Sequence, residues 1–415
     1  MFKFVNNRIF ELSSNYIDLG NKNIFCNQFL KIAIYFKNFK FNKYFFLDFT
    51  IQIYLIFFSI VLLPLAIILY FFNFKIYKIS NHSFGDYLLE MFIVKKKFNK
   101  YKILVPTNSN YKFKQYEKIF FKEVKFIKNL FFSHILNAIS VWNFTTINIF
   151  NNRDQIIEPK HYIYNSNWNK NFLNLREYYI FKYTKNKKIK IKISKIKNLK
   201  KIIPNSNKKI AIINPRMVND RKNKLRNSNL KSYLKTINFL KKKKYNLFLF
   251  SDNLKLERFC NNNGIKFFDI NNPINKTIQI FIFKVCDIYI GSYSGMGHFT
   301  DLFKTKSIYV DEVFYNSFIF NKNSYVLPKK IWFNNKILKY KNILSNNLDN
   351  IFVDKDIKSK KIKLINVSEN ELFKVTKKIL SRKEKTIKVN KRFKLPIMIN
   401  YLPTTYYKLN SKLFY

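Results

Sequence analysis

Glycine, cysteine and acidic residues are all scarce in this 415-residue chain, and each shortage excludes something. Six glycines and nine prolines rule out a low-complexity or collagen-like chain. Three cysteines, Cys26, Cys260 and Cys286, form no CxxC pair and no metal-ligand spacing. An odd, scattered set argues against a disulfide framework and points to a reducing compartment. Asp and Glu together number 24 against 77 Lys and Arg, which leaves a formal net charge of +53.

Such a charge invites a nucleic-acid reading, because basic side chains neutralise phosphates. Its distribution argues otherwise. Only nine of the 77 basic residues are Arg, and the lysines run through the whole chain, including the apparent core strands, alongside Asn, Ile and Phe. That is a compositional bias, not a local patch, and no nucleic-acid partner is expected. Hydrophobic residues make up 47%, enough for packed cores, and the length suits two domains plus extras.

The one long apolar run is Ile53 to Phe72, IYLIFFSIVLLPLAIILYFF, without a charge in twenty residues. A helix of that length rises about 30 Å, the depth of a bilayer core. Residues 44–73 are therefore expected to form a membrane helix, with 1–43 a basic, amphipathic lead. Pro64 offers an alternative, a bend that turns the segment into a re-entrant hairpin. Lys37, Lys40 and Lys43 before it and Lys75 and Lys78 after it leave the orientation undecided.

Beyond the apolar run, short apolar stretches alternate with longer periodic ones, the pattern of βαβ units and parallel sheets. In the first unit, strands are expected over 74–79 and 101–105 and a long helix over about 111–130. Asn205-Ser206-Asn207 reads as a linker. In the second unit, strands are expected over 209–213, 246–250, 265–268, 287–290 and 307–310. Helices over 230–242, 254–262, 276–284 and 296–304 connect them, and Gly264 closes the second as a C′ glycine. Five strands with helical crossovers describe a doubly wound domain. The domains are expected at 74–205 and 206–385, with a tail over 386–415.

Three constellations carry chemistry. The sharpest is Asp287 to Val310, DIYIGSYSGMGHFTDLFKTKSIYV. A buried strand runs into Gly291-Ser292-Tyr293-Ser294-Gly295 and then into a helix opening at Met296. Glycines permit a tight turn and close approach to a ligand, the serines offer hydroxyls, and the helix presents free N–H groups to an anion. The second is Asn214 to Tyr233, where Arg216 follows a strand and Arg226-Asn227 precede a helix that Ser228 or Asn229 would cap. An Arg there would fork onto a phosphate. The third is Ser83-Phe84-Gly85-Asp86, a loop after the first strand, with His82 beside it. A carboxylate at the carboxyl edge of a parallel sheet suits a general base, and an Asp capping the next helix is the plainer alternative. Asp252 and Asp269 end strands and read as ribose contacts or helix caps. Asp354-Lys355-Asp356 has the DxD form of metal-dependent glycosyltransferases but lies late in a Lys-rich loop, so no metal is expected.

The first run resembles the donor-site motif of bacterial heptosyltransferase-like enzymes. There a strand ends in Gly, a Ser-Gly pair follows, and a His opens the helix. Gly291, Ser294, Gly295 and His298 match, while Tyr293 stands where those enzymes usually carry an acid. The second resembles a family of bacterial glycosyltransferases from surface-polysaccharide loci, with Arg216, Arg226, Asn227 and Tyr233 on the pattern. In the heptosyltransferase-like group a Gly-Asp at the place of Gly85-Asp86 faces the interdomain cleft, and the resemblance implies that Asp86 is the general base. The order of the motifs matches an α/β architecture of two Rossmann-like domains, GT-B-type, preceded here by the membrane helix.

The resulting expectation is a glycosyltransferase that moves a sugar from a nucleotide-sugar to a lipid-linked or polysaccharide acceptor, inverting and metal-independent. The donor would be a substrate, with no separate cofactor. Substrate-binding residues would be Arg216, Arg226, Asn227, Gly291, Ser292, Ser294, Gly295 and His298, and Asp86 would be catalytic. The protein would sit at the inner membrane with its soluble part cytoplasmic. The alternative is a non-catalytic membrane-anchored protein that binds a nucleotide or polyanion.

Overall fold

The computed structural model describes residues 45–77, 87–88, 91–92, 94–95, 98–107, 113–140, 142–147, 208–218, 225–313, 324–338, 342–343, 348, 357 and 359–381. It divides into two compact units, 1–183 and 184–415.

The first unit corrects the expectation of a single membrane helix and shows a bend at Pro64, the alternative the sequence offered. Residues 44–73 do not make one spanning helix. They form α1 (Phe45–Val61) and α2 (Leu63–Phe71), and the apolar stretches Ile53–Val61 and Leu63–Phe71 meet at an angle of 61°. No single described helix is long and apolar enough to cross a membrane. The cause is Pro64, which lacks an N–H and whose ring clashes with the carbonyl four residues back in a continuous helix. Placed in the first turn of α2 it is well tolerated. Packing fixes the bend. Ala66 is buried in a cluster with Ile76, Leu104, Leu136, Ile139 and Trp142, and Leu62, Leu63 and Leu69 pack against it. The Trp142 indole N–H donates to the Ser59 carbonyl at 2.9 Å. Other large apolar side chains of this unit are exposed: Phe57 is 67% exposed, Phe71 75%, and Phe131 61%.

Three parallel strands follow, β1 (Phe74–Ile76), β2 (Lys102–Pro106) and β3 (Lys125–Ile127), side by side in that order. The helix expected over 111–130 is a second correction. The chain forms α3 (Lys114–Phe120), then β3, then α4 (Leu130–Ile139), which Asn129 caps by accepting from the amides of Phe131 and Phe132. Phe126 and Ile127 gain a parallel partner in Val105 and Pro106 of β2, and that outweighs helix propensity in a segment of mixed Lys and Phe. The Ser83–Asp86 loop, Asp354–Asp356 and the Asn205–Asn207 linker lie outside the described residues.

The second unit is a six-stranded, all-parallel sheet. Its strands are β4 (Ile210–Asn214), β5 (Asn246–Ser251), β6 (Lys266–Asp269), β7 (Ile288–Gly291), β8 (Lys306–Glu312) and β9 (Ser324–Pro328). They lie in the order β6-β5-β4-β7-β8-β9. Helices α5 (Leu234–Lys242), α6 (Lys255–Asn262), α7 (Pro273–Val285) and α8 (Gly297–Phe303) connect the first five strands. The five expected strands are present, and β9 was not anticipated. Buried both faces of the sheet read as near-continuous apolar runs, such as Ile210-Ala211-Ile212-Ile213. Gly264 takes φ +58° after α6, as a C′ glycine should.

Three short antiparallel strands flank the sheet, β10 (Lys330–Phe333), β11 (Lys336–Ile337) and β12 (Lys363–Ile365). The closing α9 (Glu369–Leu380) starts in a capping box between Ser368 and Glu371. Asp311, at φ +60° in a bulge at the end of β8, accepts from the Val367 amide at 2.7 Å and so ties the sheet to the entry of α9. Burial raises its carboxyl above the ordinary range.

Candidate functional site

In a sheet ordered in this way, the chain leaves β4 toward β5 on one side and returns to β7 on the other. The two strands therefore flank the switch point, where crossovers diverge and a crevice opens at the carboxyl ends. Asn214 ends β4 and Gly291 ends β7, and the two residues are paired in register. The Arg loop and the Gly-Ser loop emerge from these ends, so topology places both expected constellations together.

Local bonds hold them there. The buried Tyr289 hydroxyl donates to the Ser292 carbonyl at 2.8 Å and sits 3.5 Å from the Asn214 amide nitrogen. Ser294 also bonds it, and Arg216 is its charged neighbour; burial nonetheless drives the phenol upward, well beyond its ordinary range. The Ser292 amide donates to Asn214 O at 3.3 Å. From the loop after β4, the Arg226 guanidinium donates through Nη2 to the Tyr293 carbonyl. One turn is thus bonded to the end of β4 and to the loop that follows it.

Asn227 spends its amide within its own loop. Its Oδ1 accepts from the Val218 amide and its Nδ2 donates to the Val218 carbonyl, both at 2.9 Å, while Ser228 N donates to Arg216 O at 2.9 Å. These bonds close the loop between Arg216 and Arg226 at its base. Lys329, just after β9, clamps it from the other side by donating to Asn227 O at 2.7 Å. Burial pulls the Lys329 ammonium below its usual range. Asn229, one of the two expected caps, accepts from the Lys231 amide.

The glycines act differently from the expectation. None of Gly291, Gly295 and Gly297 takes a left-handed φ. Gly291 is there for space: a Cβ on it would lie 2.3 Å from Asn214 O and 2.9 Å from the Tyr289 hydroxyl. The helix also starts one residue later than expected, at Gly297, and runs only seven residues. Its first amide is taken, Gly297 N donating to Ser294 O at 2.7 Å. The amides before it are different. Those of Ser294, Gly295 and Met296 make no hydrogen bond among the described residues. The buried Ser292 hydroxyl also lacks a partner among them. Successive N–H groups in a turn are a kind of donor set that can bind an anion without a helix dipole.

His298 lies beyond the turn, with Nδ1 3.2 Å from the Tyr293 hydroxyl and 3.5 Å from Asp301 Oδ2. Tyr293 OH donates to Asp301 Oδ2 at 3.0 Å. The resemblance draws attention to His298, but Asp301 went unnoticed, although its place one helical turn after His298 is visible in HFTD. Of the two strand-end aspartates, Asp269 accepts from the Asn271 amide at 2.9 Å, a turn-capping role. A cavity of about 620 Å³ lined by Lys208, Lys209, Lys243, Lys244, Tyr245 and Lys377 lies at the amino edge of the sheet, away from the switch point.

The sequence matches no family model and no curated protein. Among solved structures, the chain is similar to ADP-heptose LPS heptosyltransferase II of E. coli, with 10% identity, a TM-score of 0.40, and coverage of 63% of this chain and 92% of that one. It is similar to a glycosyl transferase of family 9 from Veillonella parvula, with 11% identity, a TM-score of 0.47, and coverage of 74% and 97%. It is also similar to the iron-containing dodecameric glycosyltransferase TibC of enterotoxigenic E. coli, at 9% identity, a TM-score of 0.38, and coverage of 61% and 65%. At these identities and scores the functional reading rests on the chain's own residues.

Proposed function

We propose that this protein is a glycosyltransferase whose second unit binds the diphosphate of a nucleotide-sugar at the switch point of its sheet. One observation carries the reading: three consecutive amides, Ser294 to Met296, with no hydrogen bond among the described residues, lie in a turn bonded both to the end of β4 and to an arginine. A diphosphate needs N–H donors and positive charge from a rigid frame, and this turn offers both. Arg216 and Arg226 supply charge and Asn227 holds their loop shut. Gly291 lets the strands meet.

The chemistry in this reading takes Asp86, which lies outside the described residues, as the general base that the resemblance implies. An acceptor hydroxyl attacks the anomeric carbon, the bond to the diphosphate oxygen breaks, and the hydroxyl proton passes to Asp86. Charge growing on the leaving diphosphate is met by fixed donors, a form of electrostatic stabilisation that needs no metal. Attack opposite the leaving group inverts the anomeric centre. An Asp86→Asn variant is expected to bind nucleotide-sugar as the wild type does and to lose transfer by roughly 100-fold or more, the usual scale of a general base. Equal transfer by both proteins removes Asp86 from the mechanism.

The acceptor in this reading is lipid-linked or a polysaccharide, met at the cytoplasmic face of the inner membrane. The exposed aromatic side chains Phe57, Phe71 and Phe131 support a seat in the lipid interface, where apolar side chains are buried at the headgroup boundary. The intact protein is expected to float with vesicles containing phosphatidylglycerol and to stay with them at 1 M salt (about a 3 Å Debye length). Release by salt would leave only the lysines as the attachment.

A further inference from the structure

His298, Tyr293 and Asp301 form a bonded group whose protons can be assigned. A phenol has one proton, and Tyr293 places it on Asp301 Oδ2 at 3.0 Å. The Tyr293 oxygen can then only accept at His298 Nδ1, 3.2 Å away, and the other neighbour of Nδ1, Asp301 Oδ2 at 3.5 Å, is also an acceptor. Both neighbours of Nδ1 accept, so Nδ1 must carry the hydrogen. Which ring nitrogen is protonated is set by the bond the other one makes. Nε2, on the far side of the ring from these partners, makes no hydrogen bond among the described residues.

Asp301 itself is 1% exposed, whereas His298 is 15% exposed. Its Oδ1 lacks a hydrogen-bond partner among the described residues. Burying a carboxylate is costly unless it is paired, so this one is not a casual surface acid. The rings of Tyr293 and His298 meet edge to face at 4.9 Å, and Gly297 leaves the space for Tyr293, since a Cβ there would lie 3.1 Å from its ring. His298 follows Gly297, directly after the turn with the unspent amides.

We propose that Asp301 is a positioning residue which, with Tyr293, holds His298 in the Nδ1–H form so that Nε2 accepts a hydrogen bond from a hydroxyl of the bound nucleotide-sugar. This rests on the donor-site reading above. The hydroxyl belongs either to the ribose or to the transferred sugar.

The test has two parts, both on the full chain. The first is nitrogen NMR of protein labelled with ¹⁵N-histidine, which contains only four histidines; the His298 signal is identified by its loss in His298→Gln. The wild type without ligand is expected to show Nδ1–H and a bare Nε2, and Asp301→Asn, whose amide can donate to Nδ1, is expected to shift the ring toward Nε2–H. A wild-type ring in the Nε2–H form overturns the proposal whatever the variant does. The second part is calorimetric titration with UDP-glucose, GDP-mannose and ADP-glucose and with UDP, GDP and ADP. Asp301→Asn is expected to bind the preferred nucleotide-sugar about tenfold more weakly. If the free diphosphate weakens equally, the ribose supplies the hydroxyl; if it is unaffected, the sugar does. Equal binding by variant and wild type defeats this inference and leaves the donor site standing, whereas a wild type that binds none of the six defeats the donor-site reading itself.

Discussion

Replacing Gly291 with alanine is expected to lower the unfolding free energy by about 3 kcal/mol, the upper range for forcing extra volume into a packed core, and to abolish nucleotide binding. The added methyl would sit 2.3 Å from Asn214 O and 2.8 Å from its carbonyl carbon. Those are backbone atoms of the neighbouring strand, so no rotamer change relieves the clash and β4 and β7 must separate. Their separation breaks the bond from Ser292 N to Asn214 O and shifts the turn that follows. Chemical denaturation measures the first effect and titration the second. A variant with the wild-type midpoint would mean that the two strand ends are not packed as described.

The second large effect is expected at Arg226. Its guanidinium donates to the Tyr293 carbonyl immediately before the three unspent amides, so it both shapes the turn and brings charge to it. Arg226→Ala is expected to weaken binding of the preferred nucleotide-sugar roughly 10- to 100-fold, since a hydrogen bond to a charged group contributes about 1.5–3 kcal/mol. Arg226→Lys keeps the charge without the planar fork and should recover only part of the loss. Full affinity in Arg226→Ala would show that binding needs neither its charge nor its bond to the turn.

The second unit was legible because its pattern is strong. Runs such as Ile288-Tyr289-Ile290 have strand length and are buried in the sheet, and the polar helices between them leave little freedom of topology. What escaped was β9, a short Tyr-Val-Leu run that becomes a strand only because β8 offers it an edge. The capping box at Ser368–Glu371 was readable from spacing and announces α9.

In the first unit, composition misled. Lys and Phe recur so often between 111 and 130 that helical and alternating periods cannot be told apart, and pairing with β2 decides. Hydropathy saw twenty apolar residues but not that Ala66 faces a sheet. Loop spacing brought Arg226 and the Gly-Ser turn to one place on paper. It did not show that Asn227 closes its own loop, that Gly291 is needed for room and not for rotation, or that Tyr289 binds the strand ends together. Those roles depend on which strands are neighbours.

The central claim is that the turn from Ser294 to Met296 holds a diphosphate, and calorimetric thermal unfolding of the full chain with increasing UDP, GDP, ADP and their sugars tests it most directly. One nucleotide series is expected to raise the Tm progressively as it stabilises the fold by RT ln(1 + [L]/Kd), about 2.7 kcal/mol at a hundredfold excess over Kd, with that stabilisation cut to roughly 0.4–1.4 kcal/mol in Arg226→Ala at the same concentration. An unchanged Tm with every nucleotide, or the same rise in the variant, would contradict it.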